Sequence, residues 1–86
     1  MPELSRFYGI VVKIYAGDHP PPHIHATYGE FRAIVDIQDV AISGGRLPLR
    51  AQGLVPDWAR LHQRELIEAW ALARQSRPVF KIAPLD

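Results

Sequence analysis

The chain has 86 residues, no cysteine and a formal net charge of +1. That length is enough for one small domain over 1–86 and not for two, and the lack of cysteine excludes disulfides and thiolate metal ligands. With no block dominated by Lys and Arg, charge alone gives nucleic-acid binding no support, and no apolar run approaches the ~20 residues that span a bilayer. Residues Met1–Arg6 lack the basic and then apolar regions of a signal peptide, so the expected location is cytoplasmic.

The first element read from the pattern is a strand at 7–15, FYGIVVKIY, rich in aromatic and β-branched residues. Its even positions, Tyr8, Ile10, Val12 and Ile14, are all apolar and form the better core face. Gly17 and Asp18 end it, and Pro20–Pro22 favour a stiff, extended polyproline course. A second strand follows at 23–28, with Ile24, Ala26 and Tyr28 on one side and His23, His25 and Thr27 on the other. Gly29-Glu30 is a tight turn. Residues 31–37 alternate again, with Phe31, Ala33, Val35 and Ile37 on one side and Arg32, Ile34 and Asp36 opposite. A short strand at 40–43 runs into Gly44-Gly45, read as another turn. Strands so close in sequence form an antiparallel meander of three or four.

Past Leu47 the period changes. Leu54, Trp58, Leu61 or His62, Leu66, Trp70 and Ala73 recur at helical spacing. Pro48 suits a first helical position. Pro56 lacks the N–H that would bond the Gln52 carbonyl, which predicts a kink or break near 52–56 and a firm helix from about Asp57 to Gln75. Residues 79–82 form a short edge strand or a packed tail. The fold class is therefore α+β, with the helical region packed on one sheet face. The expected core is Ile10, Val12, Ile14, Ile24, Ala26, Phe31, Ala33, Val35, Trp58, Leu66 and Trp70.

The stretch GDHPPPHIHATYGE, residues 17–30, places His19, His23 and His25 within seven residues. Two histidines two apart on a strand share a side, and imidazole pairs of this kind chelate zinc or a similar divalent ion. His19, His23 and His25 are the candidate metal ligands, and the third position could also fall to Asp18, His62, Glu30 or Asp36. The same pair suits acid–base work, because imidazole titrates near neutrality. With Arg32, Lys13 or Tyr28 holding an anion, that chemistry fits RNA cleavage through the 2′-hydroxyl, and His19, His23, His25 and Arg32 are the candidate catalytic set. The plainer readings are a recognition loop, or polar residues on the solvent side of a sheet. If the cluster is functional, the double change His23→Ala and His25→Ala abolishes activity or partner effect at a folding cost within about half a kcal/mol; if it is structural, the same change clearly lowers the melting temperature. Trp58 and Trp70 read as core, His62 as a flank of that core, and Arg60, Gln63, Arg64, Glu65 and Glu68 as a solvated face. SGGRLP, residues 43–48, reads as a turn into a helix, with anion holding as the sharper alternative.

RFYGIVVKIYAGDHPPPHIHATYGEFRAIVDI, then GGRLP, then WARLHQRELIEAW, resembles the bacterial domain-of-unknown-function family DUF4160 over nearly the whole chain. The most specific part is the Asp-His-x-Pro-Pro-His-x-His run, here Asp18, His19, Pro21, Pro22, His23 and His25. Ile24 stands where the family usually has an aromatic residue, and Pro56 stands where its helix usually has no proline. The resemblance implies a prokaryotic protein encoded beside another small domain of unknown function, DUF2442, in a toxin–antitoxin-like pair. The implied partner is a small antitoxin-like protein, and the implied role is toxin-like, with no reaction attached. The absence of a phosphate-binding glycine loop, a nucleophilic cysteine and a serine–histidine–acid set argues against common hydrolase and nucleotide chemistry. A small sheet covered on one side leaves an edge or face to be paired, so a homo-oligomer or a complex with the partner is expected, through an edge strand or the histidine side.

Overall fold

A computed structural model describes residues 3–86; Met1 and Pro2, the start of the N-terminal segment read for a leader, lie outside the described residues. The chain forms β1 (Glu3–Phe7), β2 (Ile10–Lys13), β3 (His23–Tyr28), β4 (Phe31–Asp36), β5 (Ala41–Arg46), α1 (Leu49–Leu61) and α2 (Gln63–Arg74). The five strands lie in sequence order, each antiparallel to its neighbour. The α+β meander is as read, with one strand more than expected.

The additional strand comes from the segment read as a single strand at 7–15. Tyr8 and Gly9 have φ of 50° and 81°, and Phe7 pairs with Ile10. Two successive residues with positive φ make the tight hairpin turn that matches strand twist. Tyr8 is thereby half exposed, while Leu4 and Phe7 on β1 join the core. Within β5, Gly44-Gly45 is strand and not turn. Ile34 pairs with Gly44 and Val35 with Ile42, so Ser43 is an extra residue, a β-bulge. Gly45 has φ +70°, and a Cβ there would lie 2.2 Å from the Arg32 carbonyl oxygen. Glycine serves here for close backbone approach between paired strands. The reversal itself comes earlier, where the Asp39 N–H donates to Asp36 Oδ1 at 2.8 Å.

The helical region also differs from its reading. Pro48 is the N-cap of α1 and not its first residue, and α1 runs unbroken through Pro56. Burial of Val55, Trp58 and Ala59 outweighs the one lost backbone bond, whose orphaned acceptor belongs to the exposed Gln52. The break falls at His62 (φ −117°, ψ 23°). One straight helix over 49–74 would be about 39 Å long. That exceeds the molecule's largest dimension of 34 Å. Gln63 Nε2 donates to the carbonyls of Ile37 (2.9 Å) and Gln38 (3.0 Å), fixing the start of α2 to the β4–β5 connection.

Ile10, Val12, Ile14, Ile24, Ala26, Ala33, Val35, Trp58, Leu66 and Trp70 are buried as expected. Phe31 is the exception, 37% exposed at the start of β4 beside the Gly29-Glu30 turn, where its ring lies under the Arg46 guanidinium. Leu61 is exposed, so His62 and not Leu61 belongs to the helical stripe. Residues 75–86 form a tail and no strand. The Ile82 N–H donates to the Leu4 carbonyl at 2.7 Å, and Trp58 Nε1–H donates to the Ala83 carbonyl at 2.8 Å, which lays the tail beside β1.

Candidate functional site

Strand alternation puts His23 and His25 on the same side of β3, opposite the buried Ile24. The preceding loop returns Asp18, and not His19, to them. Asp18 Oδ2 lies 2.8 Å from His25 Nε2 and 3.1 Å from His23 Nε2. His23 Nδ1–H donates to the Pro21 carbonyl at 2.8 Å. A carbonyl only accepts, so that contact fixes the proton on Nδ1. The Pro20–Pro21 peptide bond is cis, where the sequence reading has an extended course.

The cluster has walls. The Tyr15 ring meets His25 edge-on at 4.5 Å, and the Trp70 ring lies 5.2 Å from His23. Arg74 stacks over Trp70 and its Nη1 donates to the Asp18 carbonyl at 2.9 Å, tying the loop to α2. The side chains of His23, His25 and Asp18 are only 15%, 26% and 25% exposed. These are half-buried, mutually bonded groups. Removing them is not a solvent-face substitution, so the near-zero folding cost expected of a functional cluster does not carry over to this geometry.

His19 is exposed and outside the cluster. Among the described residues, the donor atoms that converge within 4.8 Å of one another belong to Asp18, His23 and His25. Of the residues read for the third position, the one that joins His23 and His25 is Asp18: alternation places the two histidines together, whereas the loop turns Asp18 inward and leaves His19 in solvent. The other candidates are placed elsewhere. His62 Nδ1 lies 2.6 Å from Glu65 Oε1, with its ring against Trp58. Asp36 is opposite His23 but accepts from its own turn. Glu30 and Tyr28 sit at the far end of β3.

Cross-strand register sets what surrounds the cluster on its sheet face. Lys13 and Ile34 flank His25, and one pleat further along Thr27 is flanked by Val11 and Arg32, with Arg46 beyond Arg32. The pleat separates His25 from the Thr27 rung by about 6.7 Å along the strand. Arg32 therefore shares the histidines' face, one rung away. Gly44 and Gly45 are in strand, so the loop that could have held an anion before α1 is not formed. Trp70, Arg74 and Tyr15 were missed as site residues. Trp70 read as core and Arg74 carried no reading of its own; they lie four apart on α2, and only the fold brings them to the loop.

A family model described as "Domain of unknown function (DUF4160)" matches residues 9–71, which include Asp18, His23 and His25. No curated protein and no solved structure matches the chain.

Proposed function

The chain belongs to the DUF4160 family, a domain of unknown function, and from that premise we propose that it is the toxin-like member of a two-gene module, acting on RNA at the Asp18–His23–His25 cluster. The observation that carries this is positional. The cluster closes one end of a sheet face whose neighbouring basic positions are Lys13 and Arg32. Arginine and lysine at this spacing suit backbone phosphates. Lys13 and Arg32 hold the strand, and the cluster activates the attacking oxygen. A small antitoxin-like protein encoded next to the chain would silence it by covering this face.

Induced expression in a bacterial host tests the reading. Growth arrest with RNA decay is expected, relieved by the neighbouring gene product and abolished by His25→Ala or Arg32→Ala. Normal growth with undamaged RNA rejects it. A tight complex formed under those conditions would leave an assembly module as the better account.

A further inference from the structure

We propose that Asp18, His23 and His25 form a three-ligand site for one divalent cation of the zinc class, bound through Asp18 Oδ2 and the two Nε2 atoms, with a fourth position open. The inference concerns the same cluster as the reading above but does not require RNA as substrate.

The first argument is the protonation pattern. His23 Nδ1 carries the ring proton, because it donates to the Pro21 carbonyl. In the neutral ring Nε2 then holds a lone pair, and this lone pair faces Asp18 Oδ2, also an acceptor, at 3.1 Å. His25 satisfies the same oxygen with its own Nε2–H at 2.8 Å. Two imidazoles on one carboxylate oxygen leave one facing pair of lone pairs when the His23 ring is neutral, and a cation there turns that repulsion into ligation; the His25 Nε2 proton passes through solvent to Nδ1 of the same ring, so that this nitrogen too offers a lone pair. A backbone carbonyl accepting from the far ring nitrogen is also the outer-shell contact that orients metal-bound histidine and fixes its tautomer.

The second argument is distance. Bonds of 2.0–2.1 Å in a tetrahedron put neighbouring donor atoms about 3.3 Å apart. The observed 2.8 and 3.1 Å contacts need to open by only a few tenths of an ångström. The third is donor type. Two imidazoles and one carboxylate favour zinc, cobalt or nickel over magnesium or calcium, which take oxygen ligands. Asp36, the nearest acid across the sheet, is engaged with the Asp39 N–H and is not drawn in. Three protein ligands with an open position is the pattern of catalytic and not structural zinc. The partial exposure of the three side chains leaves that position a route to water or a substrate oxygen.

Protein made without a histidine tag, stripped with chelator and titrated with zinc, should bind one ion per chain and melt at a higher temperature. Magnesium should do neither. Cobalt in place of zinc should give the visible absorption of a tetrahedral site. His25→Ala and Asp18→Asn should weaken zinc binding beyond the roughly 10–100-fold that loss of an outer-shell partner costs, while His19→Ala binds as the unaltered chain does. Circular dichroism of each variant checks folding, and His25→Gln replaces any variant that fails. Substoichiometric zinc with no melting shift, or equal weakening by His19→Ala and His25→Ala, overturns the site. Tight zinc binding without any effect on RNA keeps the site and removes the RNA reading. RNA decay caused by a chain that binds no zinc does the reverse.

Discussion

The two ends of β3 start from the same apolar–polar alternation and finish in opposite chemistry. At the His23 end side chains converge: His23 and His25 meet Asp18, His23 meets the Pro21 carbonyl, and the rings of Tyr15 and Trp70 form walls. At the Tyr28 end there is space in place of contacts, a cavity of about 200 Å³ lined by Tyr8, Tyr28, Pro48, Arg50 and Leu54. The Arg50 guanidinium sits 5.7 Å over the Tyr8 ring. The difference comes from the connection attached at each end. β3 leaves at Tyr28 by a two-residue turn, which brings no side chains back. It is entered at His23 through a proline-rich loop that α2 grips through Arg74, and this returns Asp18 to the strand. A strand end becomes a chemical site here because a long connection is fixed to a helix.

Removing that grip should have the largest effect. Trp70→Ala empties a buried aromatic position and takes the wall from His23, so it should cost ~3–5 kcal/mol. Urea unfolding measures this, and a loss near zero would mean that α2 does not organise the His23 end. Next comes the double change His23→Ala and His25→Ala. It leaves the half-buried Asp18 carboxylate without its two partners, for which about 1–3 kcal/mol is the expected cost. A value inside the scatter of ordinary surface changes would restore the view of two solvent-facing histidines.

The Tyr28 end should respond more weakly. In Gly9→Ala the new Cβ meets Tyr28 Cε2 at 3.1 Å, at a residue with φ +81°. The left-handed backbone costs an L-residue roughly 1–2 kcal/mol. The Tyr28 ring can shift into the cavity beside it, so little is added to that figure. A loss larger than that of the double histidine change would reverse the ranking of the two ends.

How far these ends were legible depends on the range of the forces that make them. β3 and β4 were readable to within a residue, because alternation is local and each strand is bounded by its own turn signals. Tyr8-Gly9 was not, since the run around it is strand-like throughout and a single glycine does not announce positive φ at its neighbour. Gly44-Gly45 misled in the opposite sense: paired glycines usually reverse a chain, and here they admit the Arg32 carbonyl. Pro56 had the correct local cost, but burial of Val55, Trp58 and Ala59 overrides it. In the site, the sequence places His23 and His25 together by a two-residue period. Nothing local says whether Asp18 or His19 turns inward, because the contact deciding it, Arg74 to the Asp18 carbonyl, spans 56 residues.

The smallest expected effect lies on the His25 rung, two strands away at the sheet edge. Glu3 is opposite Lys13, which is opposite His25. The Arg6 guanidinium, bonded to the Glu3 carboxylate at 2.8 and 3.2 Å, holds that carboxyl below the ordinary 4.5, against a weaker opposing push from burial; the charges of Arg6, Lys81 and Lys13 act in the same direction as the bond. A carboxyl with a lowered folded-state pKa stabilises the fold above its unfolded value, and that contribution is lost as pH falls through the folded value. Glu3→Gln should therefore be slightly less stable than the unaltered chain at neutral pH, with the gap closing below 4.5. Salt should narrow the neutral-pH gap, since the pair is at the surface. Urea midpoints for the two chains across the acid range decide it. A gap that stays constant through that range would show that the edge pair contributes nothing through its charge, and would confine the working electrostatics of this face to the Asp18–His23–His25 end.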